Sequence, residues 1–380
     1  MKIVLSGVET NNKGAELMLY AILQEIERRH PEAIVYIPRD RMFHELSYVK
    51  TKLDFRYIPC GKFEQKFHLA SVFEKLEIPF QLLPHMIGMG KVDYFVDASG
   101  FRFSDKFKHS AHSSAILQCI LSAYKKQGTK IIYLPQAFGP FEKKASRDVL
   151  SVLNNYATVL MPREKVSLQY LEDSGITNMA KVKMFTDFTS LVEGVFPTQY
   201  EHLRNGICVI PNKQMINKGA IGLDGYISLL ESIINNARKS GKVVYLLNHE
   251  GGKDEQLCKD LQKRLPDIIQ YVSGLNALEV KGLIASAYLT VSSRFHGVAS
   301  SLNSCVPCLA TSWSHKYQEL FNDYSMSDCV LPIEDIQGAI NMIDNYLDEN
   351  INSKVRNILR NKVPHIKEEN RKMWEFIWTC

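Results

Sequence analysis

No apolar run in this 380-residue chain is long enough to span a bilayer. The opening Met1-Lys2-Ile3-Val4-Leu5-Ser6-Gly7 is apolar for only a strand's length and lacks a cleavage site, so we read no signal peptide. Ile78 to Met89 is apolar but broken by Pro79, Pro84 and His85, which suits a loop or a patch against a partner domain or a membrane surface. A strong charge of either sign is also missing. The formal balance is +5 from 46 basic and 41 acidic residues, too thin to point to nucleic acid, although it suits a small anionic substrate. Metal-ligand spacing is absent from the 8 cysteines: Cys60, Cys119, Cys208, Cys258 and Cys329 are isolated, and Cys305 and Cys308 have no second pair. They read as buried thiols in a reducing cytoplasm, with no metal site.

What is present is an ordinary globular composition, 45% hydrophobic and 23% charged, over a length that favours two domains. Ile3-Val4-Leu5, Ile34 to Ile37, Tyr94-Phe95-Val96, Lys130 to Leu134 and Thr158 to Met161 read as strands. The segments between them have room for helices, which makes parallel βα units the economical solution. The rhythm weakens between Thr186 and Asn205. It restarts at Ile207 to Ile210, Lys242 to Leu247, Ala287 to Val291 and Cys308 to Ala310. Helices close the chain. Ile351, Val355 and Leu359 give one of them an apolar face, and Pro364 is expected to end or kink it. Trp374, Phe376, Ile377 and Trp378 read as an anchor returning onto the protein, with a membrane-contacting helix as the alternative.

Candidate chemistry falls where strands end. Gly7 to Glu16 follows the first strand and opens a helix, where Asn12, Gly14 and Glu16 could serve an anion. It matches neither the dinucleotide nor the Walker glycine pattern, and a helix capped by Asn11 or Asn12 is the plainer reading. Gln136 and Gly139 lie in a proline-flanked loop after a strongly apolar strand, the edge that ligands favour. Arg163 follows the next strand, either as a ligand group or in a surface ion pair. Asp187 could orient a histidine, bind a hydroxyl or cap a turn. Asn248 to Asp254 reads as a flexible polar loop in which His249 and Glu250 reach a ligand and Asp254 serves as a helix cap.

The strongest segment is Ser292-Ser293-Arg294-Phe295-His296-Gly297, a strand end running into a helix of small residues. Arginine offers paired donors to a carboxylate or phosphate, and histidine moves a proton near neutral pH. Ser314, His315 and Lys316 follow the next strand and could meet the same anion.

Asn12-Lys13-Gly14-Ala15, Gln136 to Phe141, and Ser293-Arg294-Phe295-His296-Gly297 with the downstream Lys316 together resemble the polysaccharide pyruvyl transferase family, from Lys2 to about Leu331. The resemblance implies an α/β fold of two Rossmann-like domains in a GT-B-like arrangement with the active cleft between them. Residues 1–195 would form the acceptor-side domain and 196–340 the donor-side domain, with 341–380 a helical segment packing back. It also implies transfer of a pyruvate ketal from phosphoenolpyruvate to a saccharide or lipid-linked oligosaccharide, without a cofactor, by a cytoplasmic protein at the inner face of the membrane. Arg294, His296 and Arg163 match the family's arginine and histidine positions. On that reading Arg294, Lys316, Ser293, Gly297, Ser314 and His315 hold the donor and His296 acts as acid. Asp187 or Glu16 would serve as base. Asn12, Gly14, Gln136, Gly139, Arg163, His249 and Glu250 line the acceptor or cleft. A nucleotide-sugar glycosyltransferase, with Glu250 or Asp254 on a ribose, and a non-catalytic saccharide- or anion-binding protein remain the alternatives.

Overall fold

The computed structural model describes residues 1–38, 51–58, 89–265, 269–312, 314 and 316–380. Cys60, the 78–88 stretch and the candidate His315 lie outside the described residues. By its contacts the chain divides into two compact units. One comprises Met1–Thr10, Met18–Phe188 and Arg371–Cys380; the other comprises Asn11–Leu17 and Thr189–Asn370.

The first unit holds β1 (Lys2–Ser6), β2 (Ile34–Pro38), β3 (Asp54–Ile58), β4 (Tyr94–Asp97), β5 (Lys130–Gln136) and β6 (Val159–Pro162). All neighbours are parallel, in the order β3-β2-β1-β4-β5-β6. Its helices are α1 (Lys13–Arg29, whose first turn belongs to the second unit), α2 (Ala111–Lys126), α3 (Lys144–Tyr156) and α4 (Lys165–Asp173). The second unit repeats the scheme with β7 (Ile207–Ile210), β8 (Val244–Leu247), β9 (Gln270–Val272), β10 (Leu289–Ser292) and β11 (Cys308–Ala310), in the parallel order β11-β10-β7-β8-β9. Around them lie α5 (Gln214–Asn217), α6 (Leu223–Arg238), α7 (Gly251–Arg264), α8 (Ala277–Ala285), α9 (Phe295–Asn303), α10 (Lys316–Asp323), α11 (Ile336–Leu347) and α12 (Glu349–Thr379).

Both sheets are doubly wound. The strand order reverses between β1 and β4 in one and between β7 and β10 in the other, and ligands settle beyond the strand ends at such points. The inner strands read as unbroken apolar runs because both faces are covered. In β7 and β8, Ile207, Val209, Val244 and Leu246 enter one core, whereas Cys208, Ile210, Tyr245 and Leu247 enter the other.

Three expectations change. Pro364 neither ends nor visibly divides α12, which runs through it for 31 residues; the proline is exposed, so its ring meets solvent on the outer face. Of the three residues given to one apolar face, Val355 and Leu359 are buried but Ile351 is 37% exposed. The polar segment after β8 is not a loop throughout, because α7 begins at Gly251. At the far end, Trp374 and Ile377 are buried. Within the first unit Trp374 meets Phe188 edge-on and Trp378 meets Tyr94 and His30. Among the described residues, no helix is long and apolar enough to cross a membrane.

Candidate active site

The second unit gathers most of the candidates around one turn. Ser292 ends β10 and Arg294 caps α9. The turn is fixed by polar contacts that bury no unpaired charge. Ser292 Oγ accepts from Arg294 N and donates to Arg294 O. Ser293 O accepts from Asn212 Nδ2 and Tyr317 Oη, each at 2.7 Å, while Ser293 Oγ bonds to Tyr226 and Thr311. Ser293 was expected to face the donor. It is instead a buried strut, with its hydroxyl and carbonyl both engaged by protein. Gly297 is likewise structural: a Cβ there would lie 2.4 Å from Ser292 Oγ and 3.0 Å from Ile210 Cδ1, so glycine lets α9 press onto β7 and β10.

Arg294 is held by two carboxylates. Its Nε and Nη2 donate to Asp254 Oδ2 at 2.7 and 2.5 Å, and its Nη1 contacts Glu250. Asp254 is not the helix cap expected. It lies inside the first turn of α7, fully buried, with its second oxygen accepting from Lys213 N at 2.9 Å. Burial works against charge on both partners, raising the Asp254 carboxyl and lowering the Arg294 guanidinium. Their direct contact favours the charged pair.

The start of α1 completes this cluster. Asn12 pairs with Glu250 in an isolated bridge, and Lys13 N donates to His249 O at 3.2 Å. Asn12 Oδ1 accepts from Gly14 N, so the plainer asparagine-cap reading holds and the first helical amides are occupied by protein. Lys13 Nζ meets Glu16 Oε2 at 2.7 Å, and Glu16 Oε1 accepts from Ala277 N. Burial raises the Glu16 carboxyl, with Lys13 opposing. Gly14 has a role its sequence position concealed. A Cβ on it would lie 2.3 Å from His296 Nδ1, so the imidazole rests directly on the bare Cα face.

His249 sits among these groups. It is buried, and burial, followed by the charges of Arg294, His296 and Lys13, holds its imidazole well below the ordinary histidine value. Neutral His249 therefore lies within the field of three basic residues from three separate segments. Lys316 begins α10, with Nζ 5.6 Å from the Phe295 ring centre and 5.5 Å from that of Tyr317. Ser314 is tied to Ser312 by two hydrogen bonds.

The remaining candidates belong to the first unit. Arg163 is buried at the end of β6, its N donating to Gln136 O at 3.0 Å and its guanidinium 3.8 Å from Asp187 and 3.7 Å from Glu164. Asp187 lies beside Arg163 and immediately before the short 3-10 turn Phe188–Leu191. Gly139 adopts φ +72°, and a Cβ there would strike the Tyr170 ring at 2.6 Å. Sequence reading missed Asp97, the buried last residue of β4. Its carboxyl is raised by burial and lies 3.5 Å from Gln136 Nε2. Asp97 closes a strand at the switch point, which is the signal that could have found it.

The sequence model of the polysaccharide pyruvyl transferase family matches residues 12–315, about four-fifths of the chain. The chain belongs to this family. Among curated proteins, the amylovoran biosynthesis protein AmsJ of Erwinia amylovora is 23% identical, over 95% of this chain and 92% of that protein. Among solved structures, HepE of Anabaena, determined with UDP and glucose, superposes with a TM-score of 0.63 at 12% identity over the whole of both chains. A UDP-N-acetylglucosamine 2-epimerase-like protein of Listeria monocytogenes gives 0.64 at 12% identity, over 98% of this chain and 94% of that one. At such identities these likenesses show the fold, a GT-B-like pairing of Rossmann-type domains. Family membership gives the chain a pyruvyl-transferase type of activity in polysaccharide synthesis.

Proposed function

We propose that the protein transfers pyruvate from phosphoenolpyruvate to two hydroxyls of a saccharide as a cyclic ketal, with the second unit holding the donor. The observation that carries this reading is the meeting of the Asn12–Gly14 helix start with His249, Glu250 and His296 beside Arg294, combined with family membership. Phosphoenolpyruvate brings a carboxylate and a phosphate, and each suits a charge-assisted donor in a partly dry site. His296, held in place by Gly14, would act as the acid.

In the reaction a proton adds to the enol methylene carbon, leaving an oxocarbenium-like centre at the neighbouring carbon. One sugar hydroxyl attacks that centre. Phosphate then departs with the electron pair of its C–O bond, and the second hydroxyl closes the ketal. Two hydroxyl protons are released; one replaces the proton given to carbon and the other leaves with phosphate. Arg294 would bind the donor and offset charge developing on the departing phosphate. Glu16, whose carboxyl is raised by burial, is the second unit's candidate base; Asp187 is that of the first. Gln136, Gly139 and Arg163 are assigned to the acceptor saccharide. Ser314 and Lys316 remain assigned to the donor.

The test is phosphate release from purified protein. Release should require both phosphoenolpyruvate and an acceptor glycan, and Arg294→Ala or His296→Ala should cut it by at least about 100-fold, to a small residual rate, while the fold survives. Full turnover in either variant would remove that residue from the mechanism.

A further inference from the structure

The two carboxylates on Arg294 are not equivalent. Asp254 is fully buried inside a helical turn, contacts both Nε and Nη2, and is fixed by Lys213 N through its second oxygen. The Glu250 side chain is 34% exposed and contacts Nη1. Glu250 occupies the N-cap position of α7 without making a side-chain cap hydrogen bond. Gly251 and Gly252 follow it, with open space where a Cβ would stand on either, and Gly251 adopts φ +36°. The two residues after Glu250 are thus free of the packing that immobilises Asp254, while the Glu250 backbone is held by its bridge to Asn12 and by Asn248 Oδ1, which leaves the side chain as the part that can move.

In this cluster Lys13 faces one carboxylate, Glu16, whereas Arg294 faces two, Asp254 and Glu250. The same construction appears twice: Lys13 is underpinned by fully buried Glu16, and Arg294 by fully buried Asp254. Glu250 is the additional, exposed member. An anion approaching Arg294 meets a like charge already seated on Nη1.

We propose that Glu250 is a displaceable occupant of the anion seat on Arg294, exchanged for a carboxylate or phosphate of the donor while Asp254 stays in place. This rests on the reading of Arg294 as a donor-binding residue. Tethered beside the seat, the Glu250 carboxylate competes at a high effective concentration. Neutral sugars have no charge with which to displace it, so Glu250 makes the seat selective for anions. The cost of this selectivity is a weaker affinity for every anion.

The experiment is calorimetric titration of the full chain with phosphoenolpyruvate and, separately, with inorganic phosphate. Glu250→Gln keeps the length and removes the charge; Glu250→Ala removes the competing group. Both variants should bind both anions about tenfold more tightly than the unaltered protein, and a neutral sugar such as glucose, excluded by the unaltered protein, should gain binding only where Glu250 is replaced. Unchanged or weaker anion binding in both folded variants would overturn the proposal, because it would make Glu250 a support of the seat rather than its occupant. Tighter anion binding without any turnover of phosphoenolpyruvate would uphold the exchange and count against the pyruvyl-transfer reading alone.

Discussion

Gly14 lies in the first turn of α1, and an alanine methyl there would stand 2.3 Å from His296 Nδ1, 2.8 Å from Cγ and 3.1 Å from Cβ. Carbon contacts settle near about 3.5–4.0 Å, so the imidazole must retreat by about 1 Å. The methyl meets a side chain rather than backbone, and rotation of His296 is the cheapest relief. Gly14 does not use the left-handed region, so alanine fits its backbone, and helix propensity favours alanine by up to about 1 kcal/mol. Stability should therefore change by no more than about 1 kcal/mol. Turnover is another matter, since a misplacement of about 1 Å can cost about 100-fold. The assay pairs thermal unfolding with phosphate release from phosphoenolpyruvate and acceptor for Gly14→Ala, His296→Ala and the double variant. Gly14→Ala should lose about 100-fold in kcat/KM, and should lose nothing more once His296 is gone. Wild-type turnover in Gly14→Ala, or an equal further loss in the His296→Ala background, would refute the reasoning.

Other outcomes follow from the same geometry. His249 is held neutral in the fold, while the unfolded chain takes a proton near about pH 6.5, so its contribution is present above that pH and lost towards acid by about 1.4 kcal/mol per unit. The stability gap between the unaltered protein and His249→Gln should change by about 1.4 kcal/mol in all between pH 7.5 and 5.5 in urea titrations, nearly all of it below about pH 6.5; a constant gap would contradict it. Gly282→Ala places a methyl 2.3 Å from the Val195 carbonyl and 2.6 Å from Phe196 N, both backbone. Overpacking of about 1–3 kcal/mol should outweigh the helix gain of about 1 kcal/mol and lower the urea midpoint. Pro364→Ala should raise stability by about 1–3 kcal/mol, since the residue is exposed within α12 and alanine restores a helical donor. A lower midpoint would mean that the proline relieves a strain in the helix.

The inner strands were legible because burial on both faces writes an unbroken apolar run, as in Ile207 to Ile210. Strand β3 was missed because Asp54-Phe55-Arg56-Tyr57-Ile58 alternates charge with apolar residues at a sheet edge, and β9 because it has only three residues. Arg294 and His296 could be placed at a strand end from periodicity and turn chemistry. Their partners could not. Asp254 is 40 residues from Arg294 and Gly14 is far from His296 in the chain, so only the fold reveals the carboxylate under the guanidinium and the bare Cα under the imidazole. Arg356 shows the same limit: one charge of a basic helix end, it donates to the carbonyls of Ala287, Tyr288 and Cys305.

The most direct test of pyruvyl transfer is mass spectrometry of the products formed from phosphoenolpyruvate and a panel of host glycans. The account predicts a pyruvate ketal on a saccharide, formed with release of inorganic phosphate and cut by at least about 100-fold with Arg294→Ala. A glycosidic product made only from a nucleotide sugar, with phosphoenolpyruvate left untouched, would contradict it.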